Sequence, residues 1–201
     1  MTEMHAFSIR SAAASSRCGA GLAGAAMLAA LGGCVMPQAR TVTSDSAEVL
    51  EFANMRASNR VPKSTGTALV GAFERFCLDS GRDPAAIGAA LRRADYVAAP
   101  GQSGDSATAY VVDDRRPMVQ VSDDGRFCAV VAEARTGQSA RIQRLVNRRF
   151  PDAQPVEPSG PADAFTLRVS GAHDGFVALR RQVPTPTASG SRLILAIQHS
   201  Q

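Results

Sequence analysis

A chain of 201 residues with 45% apolar and 20% charged residues is long enough for one domain with a substantial core. The formal charge of +4 is carried almost wholly by arginine, because Lys63 is the only lysine. Without Trp, zinc-ligand spacing or a basic run interleaved with aromatics, the chain is not expected to bind nucleic acid, and no internal period marks a solenoid or coiled coil.

In chain order, Arg10 and Arg17 stand against Glu3, and no charge follows from Cys18 to Gly33. A positive start and a short apolar run are the order of a secretory leader, and about 16 residues of modest hydropathy fall short of the roughly 20 that a spanning helix needs. The run stops at Leu31-Gly32-Gly33-Cys34. This end resembles the lipobox of bacterial lipoproteins: a branched apolar residue, two small residues that let an extended backbone enter a membrane-embedded peptidase, then a thiol. The resemblance implies cleavage between Gly33 and Cys34 and a diacylglyceryl thioether on Cys34. It also implies attachment to the membrane through the acylated Cys34, facing the periplasm. Val35, which is not Asp, points to the outer rather than the inner membrane. Several acyl chains at about 0.8 kcal/mol per buried CH2 make such an anchor stable. Removing residues 1–33 takes Arg10, Arg17 and Glu3 from 22 basic and 18 acidic residues, leaving 20 against 17.

The expected organisation is a signal peptide at 1–33, a lipid-anchored N-terminus and flexible tether at 34–63, and an α+β periplasmic domain at 64–201. Val35 to Ser44 contains Pro37 and several Thr and Ser without apolar periodicity. In Asp45 to Ala57 the capping-box spacing of Asp45 and Glu48 predicts a short helix, with a peripheral strand around Val49 to Phe52 as the alternative.

From Thr65, the apolar set Leu69, Val70, Phe73, Phe76 and Cys77 marks one face of a helix that Gly81 ends. A second helix follows, with Asp83 as N-cap, Pro84 in the first turn, and Ile87, Ala90, Leu91 and Ala94 inward. The period then changes. β-rich runs begin at 96, 108 and 117, and the Ser122-Asp123-Asp124-Gly125 cluster predicts a turn between Met118–Val121 and Phe127–Ala132. A helix over 137–150 presents Ile142, Leu145, Val146 and Phe150 on one side, with Pro151 closing it. Strands are expected at Phe165–Val169, Phe176–Arg181 and Arg192–Gln198, with Pro184 and Pro186 in the longer connection. The order ααβββαβββ predicts an α+β fold with a largely antiparallel sheet and about three helices packed on one face.

With Cys34 assigned to lipid and Cys18 to the leader, the lipoprotein resemblance leaves Cys77 and Cys128. An even pair in an oxidising compartment is expected to form a disulfide; the alternative is two small buried apolar residues. Catalytic signals are poor. The Gly-Asp-Ser within 103–107 lacks the strand-to-helix elbow of a hydrolase nucleophile, His173-Asp174 reads as a hairpin turn, and Asp113, Asp114, Asp123 and Asp124 lack the spacing of a calcium loop. No metal or cofactor is expected.

Arg141, Arg144 and Arg148, at i, i+3 and i+7, align beside the apolar stripe of their helix, with Arg149 adjacent. They form either a solvated face or a contact for an anionic envelope component. The layout of the body looks like that of uncharacterised proteobacterial envelope lipoproteins, a likeness that brings no activity with it. The expectation is a non-enzymatic, lipid-anchored domain that binds or scaffolds an envelope protein or the cell wall. The alternative is an inhibitor or accessory subunit of an envelope enzyme or secretion machine, and a hydrolase is disfavoured.

Overall fold

Alternation along the last strand shows how the sheet is built: Leu193, Leu195 and Ile197 are buried on one face, while Ile194 and Ala196 are half-buried on the other. The computed structural model describes residues 47–100, 106–157, 163–182 and 190–200. Within them run α1 (Ala47–Asn54), α2 (Ala57–Arg60), α3 (Gly66–Ala72), α4 (Pro84–Arg92), β1 (Val97–Ala98), β2 (Ala107–Val111), β3 (Met118–Ser122), β4 (Phe127–Glu133), α5 (Gln138–Arg149), β5 (Gln154–Val156), β6 (Asp163–Val169), β7 (Gly175–Gln182) and β8 (Arg192–His199). The strands form one antiparallel sheet in the order β1-β2-β3-β4-β8-β7-β6-β5. It consists of two four-stranded meanders joined edge to edge through β4 and β8, with Val130 opposite Leu195 near the middle of the seam.

The α+β class and antiparallel sheet are as expected, but the order ααβββαβββ with about three helices on one face is not. The hairpin expected in the run beginning at 117 forms and supplies two strands where the order ααβββαβββ allows one, so the first meander has four. The second gains β5, whose three residues are too few to show alternation and whose Pro155 is tolerated because β5 is an edge strand. There are five α-helices among the described residues, and they occupy both faces. The α3, α4 and α5 segments bury Leu69, Leu91, Ile142 and Val146 against Val119, Val130, Leu179 and Leu195. Helix α1 lies on the opposite face, where Phe52 and Met55 pack with Val97, Ala109, Val111, Met118 and Val131. Its presence follows from the strands themselves, since β1 to β4 are apolar on both faces and need cover on both. Both α1 and α2 fall within 34–63, and α1 matches the short helix expected between Asp45 and Ala57.

Local signals explain the helix boundaries. Thr65 Oγ1 accepts from the Ala68 amide at 3.1 Å, and the Asp83 carboxylate accepts from the amides of Ala85 and Ala86 at 3.1 and 3.2 Å. The helix expected to run on from α3 instead widens into a π-helical segment at Phe73–Leu78. That wider turn buries Phe73, Phe76, Cys77 and Leu78 together. The β3–β4 turn forms as expected. Ser122 Oγ donates to Asp124 at 2.6 Å, and Gly125 takes φ +71° where any side chain would run into the carbonyl of Arg82.

Candidate functional site

Cys34 lies outside the described residues, as do Ser103 to Asp105 of the Gly-Asp-Ser stretch, Pro184 and Pro186. The structure brings Cys77 and Cys128 to disulfide distance, with Cα atoms 5.4 Å apart. The π-helical segment turns Cys77 onto β4, so the pair joins the helical layer to the sheet, and both residues are buried.

Of the expected arginine set, Arg148 is drawn into the protein's own contacts. It donates to Glu74 at 2.8 Å, and the adjacent Arg149 reaches Asp79 at 2.5 Å. Arg141 and Arg144 are exposed. The α5 guanidinium row therefore serves in part to fasten α5 to the π-helical segment.

His173 was expected in a turn, and it sits in a 3-10 turn between β6 and β7. Its ring also stacks on His199 with centroids 6.0 Å apart and meets Phe150 edge-on at 5.9 Å. Burial, then the Arg149 and Arg82 guanidiniums, holds the His173 imidazole below its ordinary range, with Asp79 pulling the other way. Burial, then Arg82 and His173, does the same for His199, opposed by the Asp174 backbone. The pair is a neutral, packed unit near neutral pH.

A cleft of about 700 Å³ with a charged rim opens where the α2 segment crosses the end of the sheet. Its polar lining is Ser58, Asn59, Lys63, Asp114, Arg115, Glu133, Ser191 and Arg192, and Ala57, Val61, Pro62 and Gly190 line the rest. Beneath it lies a buried network. Gln138, in the first turn of α5 and 1% exposed, accepts from the Arg135 amide at 2.7 Å and donates to the carbonyls of Ser64 at 3.0 Å and Glu133 at 3.1 Å. Ser64, fully buried, donates from Oγ to the Arg115 carbonyl at 2.7 Å. The Glu133 amide donates to Pro62 at 3.1 Å. These bonds fix the α2 segment, the β2–β3 turn and the end of β4 relative to one another, so the rim is held by buried donors and acceptors rather than by exposed ion pairs.

Its charges are unevenly matched. The Asp114 carboxylate is held by the Arg116 amide at 2.7 Å and guanidinium at 2.6 Å, while Lys63 lies 3.8 Å from Glu133. Among the described residues Arg115 and Arg192 have no ion pair or side-chain hydrogen bond, which they share with the exposed Arg56, Arg93, Arg141, Arg144 and Arg181, whereas Arg92, Arg116, Arg126, Arg148 and Arg149 all have one. Of this site the sequence offers only Asp114 as a candidate ligand, while Lys63 stands out merely as the lone lysine and Arg192 as the start of a strand. Arg115, Arg192 and Lys63 are far apart in the chain, and a helix-start Gln gives no outward sign that it will be buried.

A second concavity, of about 520 Å³, lies on the sheet face opposite α3 to α5, where Phe127, Phe176, Ala178, Ile194 and Ala196 form a shallow apolar floor. Arg168 lies over the Phe176 ring at 5.6 Å. Among the described residues there is no group of three His, Cys, Asp or Glu side chains placed to hold a metal ion, and no helix long and apolar enough to cross a membrane. Comparison of the chain with family models, with curated proteins and with solved structures found no match.

Proposed function

We propose that the chain is a lipid-anchored envelope protein, attached through an acylated Cys34 on the periplasmic side of the outer membrane, whose folded domain binds or scaffolds another envelope component without catalysing a reaction on it. The export half of this reading rests on Leu31-Gly32-Gly33-Cys34 and is supported by Cys77 and Cys128 lying at disulfide distance, as suits an oxidising compartment. The binding half is carried by one observation: Arg115 and Arg192, without partners among the described residues, lie together on a cleft whose backbone rim is already fixed from below. Side chains and backbone that need not reorganise on binding lose less entropy when a ligand arrives.

Placing a photo-crosslinking residue at Ser58, on the rim, and separately at Arg144, on the far helix, tests this in cells. The expected result is a discrete adduct from position 58 that is absent from position 144. Equal labelling from both positions, or none from 58, would contradict it.

A further inference from the structure

We propose that the cleft beside α2 takes a phosphate group, with Arg115, Arg192 and Lys63 as its contacts; this rests on the cleft being the domain's binding site. Three cations and two carboxylates line the cleft, with Asp113 beyond them bonded to Asn59, and the two lining carboxylates are engaged unequally. Asp114 is held in two bonds by Arg116, and Glu133 lies 3.8 Å from Lys63. What is left over is positive: two guanidiniums without partners among the described residues, and a lysine whose side chain is 67% exposed. A guanidinium presents paired N–H donors at the spacing of phosphate oxygens, and two of them with an ammonium suit a dianionic tetrahedral group better than a single planar carboxylate.

Of the neutral lining groups, Ser58 donates to Asn59 and Asn59 to Asp113, which leaves the Ser191 hydroxyl without a partner among the described residues. A phosphate with several oxygens can take a further hydrogen bond from that hydroxyl. The backbone that carries these side chains is also placed in advance. Ser64 holds the backbone of Arg115, Gln138 and Pro62 hold Glu133, and Glu133 is paired in the sheet with Arg192. A volume of about 700 Å³ accommodates a phosphorylated small molecule or a phospholipid headgroup. The two sources share this chemistry and differ in what carries the phosphate.

Hydrogen exchange read by mass spectrometry on the mature lipoprotein tests the proposal. In neutral detergent at low ionic strength, inorganic phosphate should give saturable protection of peptides covering 114–116 and 190–193. Arg115→Gln with Arg192→Gln should weaken that binding at least tenfold without changing exchange in β7, while Arg144→Gln should leave it unaltered. Competition by sn-glycerol 3-phosphate identifies a soluble phosphoryl ligand. Protection that appears in phosphatidylglycerol nanodiscs but not in phosphatidylcholine nanodiscs, and is lost in the double variant, identifies a headgroup. Absence of saturable protection with every probe, or protection that the folded double variant retains, overturns the proposal. A crosslink from Ser58 in that case would leave the binding reading standing and remove only the phosphate.

Discussion

Gln138 makes three hydrogen bonds through one amide group and is almost wholly withdrawn from water. Replacing it with Leu keeps the bulk but strands the Ser64 and Glu133 carbonyls and the Arg135 amide. Gln138→Leu should therefore cost about 2–3 kcal/mol in urea unfolding, and a cost below about 0.5 kcal/mol would show that water satisfies those groups instead. His173 and His199 make a prediction in pH. Their folded imidazoles titrate below the ordinary value of 6.5, so the unfolded chain binds protons first on acidification. Their stabilising contribution is present above about pH 6.5 and is lost as the pH falls through that value toward the lowered folded pKa. Asp124 is held well below its ordinary range by Ser122 and by the backbone and guanidinium of Arg126, so its own loss begins only as pH approaches 3.8. Thermal melts between pH 7.5 and 5 should fall for the native protein, and this window should flatten in His173→Gln with His199→Phe.

At the scale of elements, the packing of α1 decides whether the sheet is covered on both faces. Phe52→Ala should destabilise by about 3 kcal/mol, a large-to-small change in a core rather than in a tether, and a neutral result by denaturant melt would return α1 to the tether. The Cys77–Cys128 pair closes a sequence separation of 51 residues, so replacing both with Ser should lower stability by about 4 kcal/mol in the chain-entropy model. Much of this architecture was legible beforehand where one signal dominates: the Asp83-Pro84 start of α4, the Ser122 turn, the 3.6 period of α5 and the alternation of β8. The illegible parts have physical reasons. The π-helical widening at Phe73–Leu78 shares its apolar spacing with an ordinary helix, and β5 is too short to alternate. The side on which α1 lies depends on the second face of strands that pair only in the folded state. The candidate site was nearly invisible for the same cause, since Lys63, Arg115 and Arg192 meet only where α2, the β2–β3 turn and β8 converge.

At the scale of the whole molecule, the proposal has two parts, a lipid anchor at Cys34 and a folded sheet domain with a charged cleft. The two parts depend on each other through cysteine chemistry, because only an exported chain would be expected to close Cys77 onto Cys128. The most direct test is the intact mass of the protein taken from the membrane fraction, alkylated while denatured and before any reduction. The account predicts a chain that begins at Cys34, carries a diacylglyceryl group on that residue, and takes up no alkyl group at Cys77 or Cys128. A chain that retains residues 1–33, an unacylated Cys34, or two alkylated thiols in the body would contradict it.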